Sequence, residues 1–172
     1  KIKFPKQHNY DTYVDLQNIN NNLYNSCMNP GFMITHIKTG ERTYIKNKMY
    51  EYVKELRGNN SNLLYQYICL LRVGKLKQYL SYFPQYKKIF TGFYEKYCNF
   101  IQNIHNAYIS YYIKKDKDIE INKTFLYHIH KLHYTIYIPS LNTNSPTKIT
   151  KNIIRNYINE MEPMQIFHYL QL

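Results

Sequence analysis

The sequence predicts a mostly α protein of the α+β class, with a short N-terminal segment and a β-hairpin followed by an all-helical domain. Between residues 31 and 46, two apolar β-type runs flank a glycine-containing turn, which is typical of a hairpin. From Tyr50 onward, apolar residues recur at three- and four-residue steps, as they do in amphipathic helices. We therefore expect a closing hairpin segment over residues 1–47 and a helical domain over residues 48–172.

The N-terminal part contains three predicted elements. Asp11 or Thr12 is a suitable cap for a short helix, because side-chain oxygens at this position accept hydrogen bonds from the first turn. Gly40 supplies the positive φ that the hairpin turn requires. The predicted elements are a helix over residues 11–24, a strand over 31–37, a turn over 38–41 and a strand over 42–46.

Seven helices are predicted in the remainder. Gly58 and Gly74 stand where a left-handed residue ends a helix, and Pro84 and Pro139 are expected to stop the helices that precede them. Thr150 is a predicted N-cap, and Pro163 begins the last helix. The predicted helices cover about residues 48–57 and 61–73, a shorter stretch that ends at Phe83, and residues 85–115, 123–138, 151–161 and 163–170. In the long helix over 85–115, a stripe of apolar residues at three- and four-residue steps is predicted to be buried: Phe90, Phe93, Tyr97, Ile101, Ile104, Tyr108 and Tyr112.

The composition is strongly basic and strongly biased. The 172 residues carry 23 Lys and Arg against 11 Asp and Glu, a formal charge of +12. Such a charge favours a polyanionic partner. However, Ile, Lys, Asn and Tyr fill 81 positions, and these are the residues of A- and T-rich codons. Genomic bias therefore explains part of both the charge and the tyrosine content.

Several classes of protein are disfavoured. The apolar runs are too short for a membrane span, and the start of the chain lacks the pattern of a signal peptide. Three widely spaced cysteines without a C-x-x-C pair favour a reducing, intracellular compartment over a disulfide framework or a zinc ribbon. A chain that begins with Lys1 is also expected to be a piece of a longer protein.

No common catalytic motif is present: the chain lacks G-x-S-x-G, H-E-x-x-H and a glycine-rich phosphate loop. Of the three clustered histidines, only His130 and His133 share a helical face, which favours a structural role over metal binding. Exposed positive charge is therefore the main functional signal. The candidate nucleic-acid-binding residues are Arg57, Arg72, Lys75, Lys77, Lys87, Lys88, Lys96, Lys114 and Lys115.

The hairpin and the helix after it resemble a specific family. The segments Gly31-Phe32-Met33-Ile34, Lys38-Thr39-Gly40, Tyr44-Ile45-Lys46-Asn47 and Met49-Tyr50 are similar to the closing end of the nucleotidyltransferase domain in RNA ligases of the T-even phage type. In that family this hairpin leads into an all-helical C-terminal domain. The segment from Tyr50 to Asn59 also looks like proteins of large DNA viruses related to these ligases, which implies a viral protein of the host cytoplasm or virion.

The resemblance implies ATP-dependent RNA joining. In such ligases a lysine attacks ATP to form a lysyl-adenylate, the adenylate moves to an RNA 5′-phosphate, and the 3′-hydroxyl displaces AMP. The resemblance makes Lys46 the catalytic, phosphate-facing lysine, because its charge would stabilise the transition state, and Arg42 a flanking phosphate-binding cation. ATP and Mg²⁺ are then expected only with an active catalytic domain upstream, and RNA is the expected partner.

The chain departs from the family at three points. Pro30 stands where the family has a glutamate, Tyr44 replaces the first lysine of the Lys-Ile-Lys strand, and the nucleophilic Lys-x-x-Gly motif is absent. This chain therefore cannot form the lysyl-adenylate in the family's way. Three hypotheses follow: the C-terminal fragment of an RNA ligase-like enzyme whose helical domain binds RNA, a non-catalytic nucleic-acid-binding module, or a virion structural or assembly module with an aromatic protein interface.

Overall fold

The structure, a computed structural model, describes residues 9, 12–23, 27–116, 120–142 and 145–171. A two-stranded hairpin and a set of helices confirm the mostly α, α+β class. The chain divides into two compact units, Lys1–Asn59 and Asn60–Leu172. The boundary between these units lies one helix beyond residue 47, the expected end of the closing hairpin segment. Asn47, which precedes that helix, is hydrogen-bonded to Asn29 and Pro30 ahead of the hairpin.

The first unit, called the hairpin unit, contains two helices and two antiparallel strands. In the register, Gly31 pairs with Lys46 and Thr35 with Arg42. His36 and Ile37, predicted as strand, lie in the turn, where the His36 N–H donates to the Glu41 carbonyl at 2.8 Å. The elements are α1 Tyr13–Leu23, β1 Gly31–Thr35, β2 Arg42–Lys46 and α2 Lys48–Arg57.

The start of α1 supports one of the two predicted caps. The Thr12 hydroxyl oxygen accepts a hydrogen bond from the Asp15 N–H at 3.3 Å, which is the N-cap pattern. The other predicted cap, Asp11, lies outside the described residues, as does Tyr24 at the predicted end of this helix.

Gly31 is required by the backbone of the hairpin. Its φ of +135° lies in a region that L side chains rarely adopt, and a Cβ atom here would lie 2.1 Å from the carbonyl oxygen of Ile45 on the paired strand. The glycine therefore allows β1 to begin in close contact with β2.

Asn47 joins the hairpin to α2. Its side-chain oxygen accepts hydrogen bonds from the N–H groups of Met49 at 2.9 Å and Tyr50 at 3.3 Å, as an N-cap does. Its amide nitrogen donates to the Asn29 carbonyl at 2.9 Å, and the residue is almost fully buried. One side chain thus fixes both the start of α2 and the entry to β1.

The second unit, called the helical unit, has α5 at its centre, packed against α3, α6, α8 and α9. A 3₁₀ turn at Pro84–Tyr86 leads into α5, and a π-helical segment follows each of α5 and α6. The elements are α3 Leu63–Arg72, α4 Leu76–Tyr82, α5 Lys87–Tyr108, the first π segment Ile109–Lys114, α6 Lys123–Leu132, the second π segment His133–Tyr137, α7 Ile138–Ser140, α8 Lys151–Asn159 and α9 Pro163–Gln171.

Three details differ from the predictions. α3 begins at Leu63 and not at residue 61, because the side-chain oxygen of Asn62 accepts from the Leu64 and Tyr65 N–H groups as an N-cap. Pro139 does not stop the helix before it: it lies in the first turn of α7, where its missing N–H needs no helical partner. The end of the predicted helix 85–115 is π-helical.

The core of the helical unit is aliphatic and aromatic. The stripe predicted on α5 is buried at Phe90, Tyr97, Ile101, Ile104 and Tyr108, whereas Phe93 and Tyr112 are partly exposed. Facing helices contribute further buried residues, namely Leu64, Tyr67, Ile68, Leu70, Ile129, Leu132, Ile154, Tyr157, Ile158, Ile166 and Leu170. This packing fixes α4, the 3₁₀ turn and both π segments, and Lys75, Lys77, Lys87, Lys88, Lys114 and Lys115 lie in or next to these elements.

Candidate functional site

The two hairpin cations lie on one face of β2. Arg42 and Lys46 are four residues apart, so their side chains point the same way, about 13 Å apart along the strand. Arg42 lines an open cleft of about 950 Å³ at the turn end of the hairpin, together with Ile34–Lys38. This spacing is too wide for both side chains to hold a single phosphate without bending toward each other.

Lys46 has a neighbouring carboxylate. Its Nζ lies 3.0 Å from Oε1 of Glu51, in the first turn of α2, and both side chains are largely exposed. A phosphate that approached Lys46 would compete with this exposed ion pair. The catalytic role that the ligase resemblance implies for Lys46 stays a prediction.

The second group of cations surrounds a turn held by aromatic rings. Tyr79 of α4 is buried, and its ring stacks on Phe90 of α5 with centroids 5.3 Å apart and planes at 8°. The rings of Phe83 and Tyr86 lie 4.8 and 6.1 Å from Tyr79. Because these rings pack across the 3₁₀ turn, the start of α4 and the start of α5 are held in one local structure.

Four lysines flank this turn, and we call them the basic corner: Lys75, Lys77, Lys87 and Lys88. All four are exposed. Lys87 and Lys88 form the start of α5, whose first turn contains no acidic residue and no side-chain cap. A helix N-terminus carries partial positive charge, so lysines there are unfavourable by about 0.3–1 kcal/mol each. Within the described ranges, none of the four has a carboxylate within 4.0 Å.

Arg72, the fifth candidate in this region, already has partners. Its Nη1 lies 3.7 Å from Oε2 of Glu162 and donates to the Met161 carbonyl at 3.4 Å. These contacts join the end of α3 to the loop between α8 and α9. Arg72 is therefore less available to an anion than the lysines of the basic corner.

The remaining candidates are exposed and dispersed. Arg57 lies in the last turn of α2, where its positive charge interacts favourably with the negative end of the helix dipole. Lys96 lines a cavity of about 370 Å³ between α5, α6 and α9. Lys114 and Lys115 end the first π segment, and Lys115 has a left-handed φ of 53°.

Histidines and tyrosines form contacts that sequence reasoning missed. The Tyr112 hydroxyl is 2.9 Å from Nδ1 of His130, and the Tyr108 hydroxyl is 3.2 Å from Nδ1 of His133. Burial raises the pKa of both tyrosines to about 12, so their hydroxyls stay neutral. Only the shared face of His130 and His133 hinted at this arrangement, because the partner tyrosines lie on another helix.

The third clustered histidine, His128, is buried in the core. Its Nδ1 lies 3.1 Å from the Tyr157 hydroxyl, and its Nε2 has no hydrogen-bond partner among the residues that the structure describes. Burial, reinforced by the charge of Lys131, lowers the pKa of His128 to about 4. The imidazole is therefore neutral at pH 7.

In the described part of the chain, no group of three or more His, Cys, Asp or Glu residues could hold a metal ion. Among the helices described, none combines the length and the apolar character that crossing a membrane requires.

Comparison with known proteins gives one viral similarity. The chain is 28% identical over 146 residues to a protein of Invertebrate iridescent virus 6 named "Immediate-early protein ICP-46 homolog". The match covers 77% of this chain but 31% of the viral protein, so the chain spans about a third of that relative's length. No family model and no solved structure matches the chain.

Proposed function

We propose that the helical unit binds RNA through phosphate contacts made by the basic corner. The observation that carries this proposal is the set of four exposed lysines around one aromatic turn, two of them at the start of α5. Lysines at a helix N-terminus are repelled by the partial positive charge there, and the positive potentials of the lysines and of the helix terminus add together. A bound anion would relieve that repulsion.

The charge of the whole unit supports the proposal. From residue 60 to the end, the sequence has 14 Lys and Arg against 6 Asp and Glu. Phosphate contacts of this kind do not depend on sequence, and they release counterions, so affinity falls steeply with salt. The aromatic packing beneath the basic corner holds α4, the 3₁₀ turn and the start of α5 in one arrangement before any ligand binds, which reduces the entropy lost on binding.

RNA joining belongs to the same proposal as a property of a longer protein. It rests on the resemblance of residues 31–59 to the closing end of RNA ligases, with ATP and Mg²⁺ bound by an upstream domain. Labelled AMP bound covalently to such a protein under denaturing conditions would support it. Without that label, the RNA-binding module and the virion assembly module are the remaining hypotheses.

The test replaces Lys75, Lys77, Lys87 and Lys88 together by alanine. We expect RNA affinity at low salt to fall at least about tenfold, because four phosphate contacts are lost. The slope of log affinity against log salt should become shallower by about 3 for single-stranded RNA, since each contact contributes about 0.7. Fluorescence anisotropy of a labelled RNA at several salt concentrations measures both quantities.

A charge-matched control uses four other exposed lysines, Lys48, Lys54, Lys123 and Lys148, also changed to alanine. This variant lowers the net charge equally but leaves the basic corner intact, so its affinity should stay within about twofold of the parent protein. Equal losses in the two variants would show that net charge alone attracts RNA. An unchanged affinity in the first variant would refute the basic corner as the site.

A further inference from the structure

The two π segments face each other and carry a stack of rings. The Tyr112 and His133 rings are parallel, at 9°, with centroids 3.7 Å apart, and the Tyr134 ring is nearly parallel to His130 at 6.2 Å. Tyr111 contacts the edge of His130 at 5.3 Å. We call this group the Tyr–His platform: Tyr111, Tyr112, His130, His133 and Tyr134. Single π turns inside α-helices are rare and occur frequently at functional sites.

Two residues of the platform are held by hydrogen bonds, and two others are exposed to solvent. Hydrogen bonds from Tyr108 and Tyr112 hold the two imidazoles, and Tyr108 itself is almost fully buried. Tyr111 and Tyr134, in contrast, are 42% and 63% exposed. Two aromatic rings are therefore exposed to solvent beside residues that are already held in place. A ligand that stacks on these rings would lose little additional side-chain entropy on binding.

Positive charge lies next to the platform. Lys114 and Lys115 follow Tyr111 and Tyr112 in the chain after one intervening residue, Ile113, and both are exposed without an ion pair to any described residue. Asp116, Lys117, Asp118 and Glu120 come next in the sequence. Exposed aromatic rings beside lysines match single-stranded nucleic acid, whose bases stack on the rings while the phosphates contact the cations.

We propose that the Tyr–His platform binds unpaired bases of single-stranded RNA by stacking them on Tyr111 and Tyr134, with Lys114 and Lys115 contacting the adjacent phosphates. This proposal rests on the proposed function and adds the class of RNA. Bases inside a duplex are already stacked and paired, so the platform discriminates against double-stranded RNA.

The experiment measures the affinity of the full chain for three ligands of the same length, about 20 nucleotides, which exceeds the site size of one such module. The ligands are a uridine oligonucleotide, an abasic ribose-phosphate oligomer with the same charge but no bases, and an RNA duplex. The test variant is Tyr111→Ala with Tyr134→Ala, and the rescue variant changes both residues to Phe. Tyr94→Ala is the control, because Tyr94 is 52% exposed on α5 but lies about 25 Å along the helix from Tyr111.

Stacking predicts a distinct pattern of results. The alanine variant should lose about twentyfold in affinity for the uridine oligonucleotide and should bind the abasic oligomer as the parent protein does, because stacking of each base contributes several-fold. The phenylalanine variant should keep the parent affinity, since phenylalanine retains the ring, and Tyr94→Ala should change little. The parent protein should prefer the uridine oligonucleotide to both the abasic oligomer and the duplex.

Other results overturn the proposal. Equal affinity of the parent protein for the uridine and abasic oligomers would show that no base is stacked. Equal losses on both ligands in the alanine variant would show that the two tyrosines contribute without contacting the bases, which refutes stacking. If the alanine variant binds normally while the basic-corner variant does not, the platform is refuted and the proposed function stands. If the parent protein binds none of the three ligands, both proposals fail, and the platform becomes a candidate protein contact instead.

Discussion

The hairpin unit and the helical unit are held together in different ways. Among the described residues of the hairpin unit, the buried side chains are Asn47 and Leu56, and Asn47 acts through hydrogen bonds. The helical unit instead buries aliphatic and aromatic residues from six helices, with α5 at the centre. The comparison shows that the folded structure of the hairpin unit depends on a few polar contacts. The helical unit depends on packing, so we expect it to tolerate the loss of an exposed contact.

The largest expected effect is a loss of stability of the helical unit in acid, because this well-packed unit contains the buried His128. The pKa of His128 falls to about 4 on folding, from 6.5 in the unfolded chain. The unfolded chain therefore binds more protons between these values, and stability is lost as the pH falls through that window. The free energy of unfolding should therefore be about 3 kcal/mol lower at pH 4 than at pH 7 as a result of this one group, and denaturant unfolding at the two pH values measures the difference.

The variant His128→Gln serves as the comparison, because glutamine cannot take up the proton. It should be less stable than the parent protein at pH 7, since it disturbs a fully buried site. Its loss of stability between pH 7 and pH 4 should, however, be about 3 kcal/mol smaller. An equal loss in both proteins would place the acid sensitivity elsewhere.

The next effect compares the two units through one asparagine N-cap in each. Asn47→Ala should destabilise the hairpin unit by about 2 kcal/mol, because it removes a cap and a buried donor to the Asn29 carbonyl. Asn62→Ala, which removes the exposed cap of α3, should cost about 1 kcal/mol. Amide hydrogen exchange in α2 and α3 measures the two effects separately. Equal protection losses would contradict the special role assigned to Asn47.

The smallest effect concerns Lys46 and Glu51. The pair is close but exposed, so a double-mutant cycle with alanine at both positions should give a coupling energy below about 1 kcal/mol. The coupling should disappear in about 1 M salt, where charges are screened within a few ångströms. A coupling well above that value would mean that Glu51 holds Lys46 firmly and restricts its access to a phosphate.

Local signals in the sequence predicted much of the fold. Gly40, Gly58 and Gly74 all have positive φ, as their positions at a turn and at helix ends implied. The hairpin pairing and the stripe on α5 followed from periodicity. Pro139 misled the prediction, because a proline in the first turn of a new helical segment looks the same in sequence as one that ends a helix.

The candidate site was less accessible to sequence reasoning. The basic residues could be identified, but the sequence alone could not show that Arg72 has partners 89 and 90 positions away, at Met161 and Glu162. Nor could it show that Lys87 and Lys88 form no ion pair with any carboxylate that the structure describes. The rings of Tyr112 and His133 come from different helices, so no single amphipathic pattern contained them. Contacts of this kind depend on how α5 and α6 pack, which is a tertiary property.

The π segments also change how related sequences should be aligned. A π turn corresponds to one residue inserted into an α-helix, and each inserted residue rotates everything after it by about 100°. A relative that lacks one residue near Ser110 would keep the buried face of α5 up to Tyr108, but it would rotate the residue that corresponds to Tyr112 away from His133, on which the Tyr112 ring stacks. A single-residue gap at this point in an alignment would therefore separate sequences that retain the paired π turns from sequences in which a plain α-helix has replaced them.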